Sequence, residues 1–543
     1  MEKRMIIAIA LSLLILLGFQ GLVARQRAQV RSQAPVSSAE TAQAPGSFAE
    51  KAQEPFAAES IKPGPMSRQL PGEETPQENI TEIQTETYLL AFSDIGGTLK
   101  TLSLREQGKE EILFDEEAPA GRLFAMQSEL LPGLEKRRFE TIKKNGVLEY
   151  RFRDPGWIEI TKRYTFHKSL DYIDLGVYAK NLSSRKIVFS YQIRGPSGLK
   201  KTSSVAGRSF LQADIMIDGK LWKKKSVKGV QEKAGDIAWA ALKNRYFALI
   251  LKPFNPPRSV IITQTADKNF LTAMNSRRYD LEPGGKAEDQ YLLYAGPLNE
   301  RKIEAIGYDM QKVVDYGFFG GLSKWLLSIL RFFHKGVNNW GVAIILLTLL
   351  INIILFPLTI KSFSSMQQMK TIQPHIQKLK ELHKDNPQKL NKETMELYKK
   401  YNVNPLGGCL PLLLQMPIFI ALYQGLMRSI ELKGAHFLWI KDLAKPDAVP
   451  LPFSLPVIGP SINILPLFMV GAMLAQQKIS QGISAGAMTA EQAGQQKMMM
   501  MLMPLFFGVL FYKMPSGLVL YWLTNTILMT MEQGLISKRM SRN

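Results

Sequence analysis

The chain has 543 residues, 46% of them hydrophobic, a formal net charge of +21 and a pI near 9.7. In a soluble chain such a charge would point to nucleic acid. Here much of the apolar content is packed into discrete long runs, so the basic excess reads as contact with anionic lipid, and no direct nucleic-acid function is expected. The lone cysteine, Cys409, excludes a disulfide framework and a thiol pair for metal, and the five histidines, His167, His334, His375, His383 and His436, are scattered. No metal site and no cofactor are expected. His375 and His383, eight residues apart in one basic segment, have the spacing of a solvated face.

Residues 5–24 (MIIAIALSLLILLGFQGLVA) follow Lys3 and Arg4, form an apolar stretch too long for a secretory signal and are followed by no clear A-x-A cleavage site, so residues 1–25 read as an uncleaved signal anchor with a cytosolic N-terminus. No cysteine follows to make a lipoprotein. Residues 26–80, rich in Ala, Gln, Glu, Pro and Ser, cannot bury enough apolar surface to offset the entropy of ordering and read as a disordered periplasmic linker.

From 81 to 312 the pattern changes to short runs rich in β-branched and aromatic residues: TYLLAF, GTLKTLSL, LEYRFR, WIEITKRYTFHK, YIDLGVYAK, KIVFSYQI, RYFALILK and SVIITQ. Period-2 runs broken by Gly, Pro and Asn predict a large antiparallel β-sandwich. Its one histidine, His167, ends a strand; sugar chemistry would need a second polar group against it, so a docking or structural role is the preferred reading. Trp222–Lys225 (WKKK) reads as a solvated loop, with a binding patch as the alternative.

Residues 313–337 contain GLSKWLLSILRFFHKGV, followed by Asn338 and Asn339. Helical spacing sets Lys324, Ser328, Arg331 and Lys335 on one face and Trp325, Leu326, Ile329 and Phe333 on the other, the division of a helix lying along a bilayer surface. Residues 338–540 then hold five apolar spans near 340–360, 408–428, 462–479, 498–513 and 516–536. Runs of about 20 apolar residues cross a hydrocarbon core at about 1.5 Å per residue. The 361–404 connection has nine Lys against four acids and 431–460 has three against three, which places the first in the cytosol and the second outside. With the anchor this predicts a polytopic α-helical membrane protein of six spans, both termini cytosolic and the large domain periplasmic.

The 361–404 segment reads as two amphipathic helices in an antiparallel hairpin. Ile372, Ile376, Leu379 and Leu382 line the first, Leu390, Leu397 and Tyr401 the second, with a break at Asp385-Asn386-Pro387. Its lysines, among them Lys370, Lys378, Lys380 and Lys384, form either a solvated face or a receiver for ribosomes, targeting factors or lipid headgroups. Both readings stand.

Polar residues within the spans are costly unless they face a partner or water. Thr348 and Asn352 share a helical face, Gln415 sits in the second core span, and Tyr521, Trp522, Thr524 and Asn525 lie near the middle of the last. They are either interhelical hydrogen-bond contacts or, as a group, the lining of a hydrated recess. The methionine run 498–501 with Met503, Met366, Met369 and Met416 is either ordinary gap filling or an adaptable apolar surface.

Four strings, DYGFFGGLSKWLLSILRFFHKGVNNWGVAIILLTLL, FPLTIKSFSSMQQMKTIQPHIQKLK, YKKYNVNPLGGCLPLLLQMPIFIALY and MPSGLVLYWLTN, resemble the YidC/Oxa/Alb family of membrane-protein insertases in order and spacing. With the anchor and sandwich, the resemblance is to the family's long Gram-negative form and covers nearly the whole chain. It implies a five-helix core that moves nascent inner-membrane proteins from the cytosol into the inner membrane, alone or beside the Sec translocon, through a groove open to cytosol and lipid. By motif, Thr348, Asn352, Gln415, Tyr521 and Trp522 would line that groove. It also implies a periplasmic domain similar in fold to sugar mutarotases, without their chemistry. One departure is that Asn352 stands where the family usually carries an arginine, so capture of acidic termini by a fixed positive charge is put in doubt.

No GxxxxGK[ST] loop, acid pair or metal-ligand cluster accompanies the spans, so no catalytic residue is expected. Insertion would be driven by burial of the incoming apolar helix, about 0.8 kcal/mol per CH₂, and by the membrane potential, about 2.3 kcal/mol per charge per 100 mV. Two rival classes remain at this point. A secondary transporter with a periplasmic accessory domain would need coupling charges, yet the core spans hold almost no acid before Glu532. A periplasmic sugar-modifying enzyme would need a partner facing His167.

Overall fold

A computed structural model describes residues 78–106, 109–116, 121–144, 146–167, 171–201, 210–383, 386–401, 403, 410–455, 459–484 and 502–540. The expected anchor, nearly all of the linker, Lys384, Cys409 and Met498–Met501 lie outside the described residues, as do the side chains of Met366 and Lys370.

The β region is a sandwich built on a nine-stranded antiparallel sheet. Its order is Lys220–Lys224, Gln212–Ile217, Ile237–Lys243, Phe247–Pro253, Lys286–Pro297, Tyr172–Asn181, Ile158–Phe166, Val147–Asp154 and Glu140–Lys144. A five-stranded sheet runs Gln231–Ala234, Ser259–Gln264, Phe270–Asn275, Gln192–Arg194 and Met126–Gln127. A four-stranded sheet runs from Ile80–Gln84 to Lys109–Asp115 in chain order. The period-2 runs explain which face is inside: along Tyr172–Asn181, Ile173, Leu175, Val177 and Ala179 are buried while their neighbours are partly exposed. The core they enter is aromatic, with Phe92 4.6 Å and Phe124 5.6 Å from Tyr164, ring centre to ring centre.

Two expectations fail here for local reasons. KIVFSYQI is not one strand: Ile187–Phe189 pairs with Tyr279–Leu281, and Gln192–Arg194 joins the five-stranded sheet. WKKK is not a loop, because Asp218 and Gly219, at φ 50° and 69°, make a two-residue turn that folds Lys220–Lys224 back as the edge strand. Trp222 there lies under the ammonium groups of Lys224 (4.5 Å) and Lys233 (5.3 Å).

One buried cation is invisible to periodicity. Lys162 sits inside the sandwich, where Nζ donates to Gly96 O (2.7 Å) and Phe124 O (2.6 Å), and burial lowers its pKa to about 7.

The helical region comprises α1 (Glu300–Ile306), α2 (Gly320–Val337), α3 (Trp340–Leu382), α4 (Pro387–Lys400), α5 (Leu410–Arg428), α6 (Ile464–Ser484), α7 (Leu502–Phe511) and α8 (Ser516–Met540). Among the described residues, one helical stretch, Trp340–Met369, meets both the length and the hydropathy needed to cross a membrane. It belongs to α3, which continues through Pro357 and Pro374 into the first arm of the basic hairpin, so no break separates span from hairpin at residue 360.

The second arm of the hairpin starts where Asn386-Pro387 led one to expect, and Asp385 lies outside the described residues. Pro387 opens α4 and the Asn386 side chain accepts from Lys389 N (3.1 Å). Its inner face differs in part: Ile372 is buried, but Leu382 is 76% exposed. Of the two histidines, His375 is exposed, with its ring 5.7 Å from that of Tyr401, whereas His383 is a hairpin contact, its Nε2 2.8 Å from Glu393 Oε2. Lys378 and Lys380 are exposed.

Helix α2 buries Ser323, Leu326, Leu327 and Leu330 against α3 and α5, while Trp325, expected on that face, is 55% exposed. Gly425 of α5 permits this crossing, because a Cβ there would meet Ser323 Oγ at 2.7 Å.

Candidate substrate groove

Helix α8 packs against α3, α5 and α6, and its N-terminus is fixed by the loop before α6. Ser516 N donates to Lys445 O (2.8 Å) and Gly517 N to Leu443 O (2.9 Å), satisfying amides that the first turn of a helix leaves open. Asp447 does the same for α6, accepting from Ile464 N (2.8 Å) and Leu465 N (2.9 Å). The connection between α7 and α8, residues 512–515, is as short as the MPSG string suggested, and the Ser and Gly of that string already open α8.

With the helices so placed, the polar residues of the spans meet in two seams. On the α3 seam, Thr348 Oγ1 donates to Ile344 O (2.7 Å), and Asn352 Nδ2 donates both to Thr348 O (2.8 Å) and to Asn525 Oδ1 on α8 (2.9 Å). On the α5 seam, Gln415 Nε2 donates to the Tyr521 hydroxyl. Thr348, Asn352, Gln415, Tyr521 and Asn525 are all buried, and α8 supplies a residue to both seams. Trp522 is placed differently. Its ring meets Phe419 edge-on at 4.8 Å and stacks on Phe507 at 5.6 Å, within an apolar aromatic cluster of α5, α7 and α8.

Further polar groups continue the α3 and α8 faces, beyond those singled out from the sequence. Thr359 and Ser362 on α3 and Thr526 and Gln533 on α8 are buried as well. Thr359 is seven residues from Asn352 and Gln533 eight from Asn525, spacings that return to one helical face and could have signalled them. Glu532 is partly buried, and its Oε2 has no hydrogen-bond partner among the described residues.

Elsewhere, His167 Nε2 does have a carboxylate partner, Asp174 Oδ2 at 2.7 Å. Both side chains are about a third exposed at a strand end, and the imidazole packs on Tyr172 at 4.8 Å, the arrangement of a surface cross-strand pair. Among the described residues no group of three or more His, Cys, Asp or Glu is placed to hold a metal ion.

Two family models match in tandem, "YidC periplasmic domain" over residues 80–329 and "60Kd inner membrane protein" over 332–543. A membrane protein insertase YidC of Maridesulfovibrio salexigens is 32% identical over 572 residues, covering 99% of both chains. The chain belongs to the YidC membrane protein insertase family. Against solved structures, a YidC insertase crystal structure with its first transmembrane domain resolved is 16% identical, with TM-score 0.34, covering 85% of this chain and 92% of that one. A galactose mutarotase related enzyme of Lactobacillus acidophilus is 10% identical, with TM-score 0.32, covering 40% of this chain and 97% of that one. YidC membership over the full length removes the transporter alternative, and it places the sandwich as a YidC periplasmic domain rather than a sugar-modifying enzyme.

Proposed function

We propose that the chain inserts inner-membrane proteins through a polar groove walled by α3, α5 and α8, open to the cytosol and to lipid and closed on the periplasmic side. As a YidC insertase it carries out no covalent catalysis, and its substrates are inner-membrane proteins. The observation that carries the groove reading is the pairing of Asn352 with Asn525 and Gln415 with Tyr521, two polar bridges meeting on one helix amid apolar surface. Buried amides and hydroxyls are expensive in hydrocarbon, and hydrogen bonds that can exchange with water or a passing backbone give a polar terminus a lower barrier than the lipid core.

The six-span arrangement with both termini cytosolic follows from the charge asymmetry of the loops. The domain boundaries are those read from the sequence: anchor 1–25, linker 26–80, sandwich 81–312, interfacial helix 313–337 and core 338–540, with the cytosolic hairpin at 361–404. Lys370, Lys378, Lys380 and Lys384 on that hairpin would receive ribosomes, targeting factors or anionic headgroups, and the Sec translocon is a further partner.

Reconstitution of the full chain in liposomes, with protease protection of a single-span substrate bearing a short polar external terminus, tests the proposal. Protection above empty liposomes, slowed severalfold by Gln415→Leu with Thr348→Val, is the expected result. An unchanged rate in the double variant would return both residues to a packing role.

A further inference from the structure

The turn between strands Ile237–Lys243 and Phe247–Pro253 is rigid. Asn244 N donates to Phe247 O (2.9 Å), and the Asn244 side chain accepts from Tyr246 N and Phe247 N, both at 2.9 Å, while its amide donates to Lys200 O (2.8 Å). This turn carries Arg245 at its tip. The Arg245 side chain is fully buried, flanked by the Tyr246 ring at 4.7 Å, yet it belongs to the sandwich while its hydrogen bonds go to the helical core. Nε donates to Met427 O (2.5 Å), and an Nη donates to Ala444 O (3.0 Å).

Both acceptors are strategically placed. Met427 is the penultimate residue of α5, where carbonyls have no intrahelical donor and a cation meets the negative end of the helix dipole. Ala444 lies between Leu443 and Lys445, whose carbonyls hold the first amides of α8. One guanidinium therefore ties together the external ends of the two helices that share the Gln415–Tyr521 hydrogen bond. The surrounding contacts span the same divide: Lys433 of the core pairs with Glu111 of the sandwich, and Asp315 bridges Lys223 of the sandwich (2.9 Å) and Arg428 of α5 (3.8 Å).

We propose that Arg245 is a positioning residue for insertion: the periplasmic sandwich uses it to clamp the external ends of α5 and α8, holding the groove closed on that side and its polar seam in register. The consequence for insertion rests on the groove reading. The clamp itself rests only on the contacts of Arg245, so the two can fail separately.

The test uses the full chain in nanodiscs for hydrogen–deuterium exchange and in liposomes for insertion, comparing wild type with Arg245→Met and Arg245→Lys. Arg245→Met keeps the length and apolar stem but removes every donor. It is expected to speed amide exchange at 516–521 and at 442–445 by about tenfold, the scale of a lost charge-assisted hydrogen bond, with strand Tyr172–Asn181 unchanged. Insertion should slow severalfold. Arg245→Lys, able to reach one carbonyl but not fork to two, should fall between.

Unchanged exchange at 516–521 in a variant whose Tyr172–Asn181 amides stay protected would overturn the clamp. Faster exchange with an unaltered insertion rate would overturn its role in positioning the groove. If Arg245→Met fails to fold, Glu111→Gln provides the second variant. It breaks the neighbouring Lys433 pair while leaving Arg245 in place, and should loosen the same amides by a smaller factor; no change there would count against coupling across this interface.

Discussion

Asn352 on α3 and Asn525 on α8 are joined by a 2.9 Å hydrogen bond, Nδ2 donating to Oδ1, with both side chains buried between the two helices. The second hydrogen of that Nδ2 is also engaged, by Thr348 O one turn back. Asn352 thus has no spare donor to offer without giving up a contact. Removing either asparagine leaves the other amide buried with a lost partner, a cost of about 1–3 kcal/mol. Asn352→Leu and Asn525→Leu should each lower thermal stability in detergent, and the double variant should lose less than the sum. The coupling should be about 0.5–2 kcal/mol, and strict additivity would show that the bond contributes nothing net.

The same geometry bears on capture of charged substrates. An arginine at 352 would replace a neutral amide with five donors and a fixed charge. Asn352→Arg is expected to keep insertion working and to accelerate substrates with acidic external termini severalfold over matched neutral ones. Equal rates for acidic and neutral substrates in this variant, measured by protease protection, would dispose of electrostatic capture at this position.

How much of this was legible beforehand varied with the kind of signal. Runs such as YIDLGVYAK show their strand because every second side chain must enter the core, and Asn386-Pro387 shows its helix start because cap and N1 chemistry are local. Asn352, Gln415, Tyr521 and Asn525 stood out because a polar residue in a span needs a reason, but which pairs with which depends on helix packing that no spacing encodes. Nor does sequence adjacency place Trp522 with Tyr521: neighbouring helical residues point about 100° apart, so Tyr521 can face Gln415 while Trp522 enters the aromatic cluster. Arg245 and Lys162 were missed because their acceptors are backbone carbonyls from distant segments. The Asp218-Gly219 turn, by contrast, was a readable hairpin signal beside WKKK.

Close approach at the start of α3 makes a third prediction. A Cβ on Gly341 would lie 2.1 Å from Phe437 Cγ and 2.6 Å from its Cβ, atoms too near the backbone to swing aside. Phe437 is itself held by its bridge to Ile440. Gly341→Ala should therefore lower thermal stability by about 1–3 kcal/mol, the usual cost of overpacking, despite the better helix propensity of alanine. Pairing it with Phe437→Ala should recover most of the loss. A neutral single variant would mean that the loop before α6 moves freely relative to α3.

The buried Lys162 predicts a pH dependence of stability with a definite sign. Its ordinary pKa of 10.5 falls to about 7 in the folded sandwich because burial penalises the ammonium. Between those values the unfolded chain holds a proton that the folded chain lacks, so this group makes stability rise with pH, by about 1.4 kcal/mol per unit at most. Below about pH 7 both states are protonated and the contribution is flat. Lys162→Met should remove this component, so the difference in urea midpoint between wild type and variant should drift in favour of wild type from pH 7 to pH 9, as followed by near-ultraviolet circular dichroism on the full chain. Three backbone carbonyls face the lysine Nζ, those of Gly96, Gly97 and Phe124, and the variant takes that donor from all of them, although Gly97 O keeps the Tyr164 hydroxyl at 2.7 Å, so the variant's absolute stability should drop at every pH. The slope separates the two effects: parallel pH profiles in wild type and variant would show that Lys162 stays charged in the folded core.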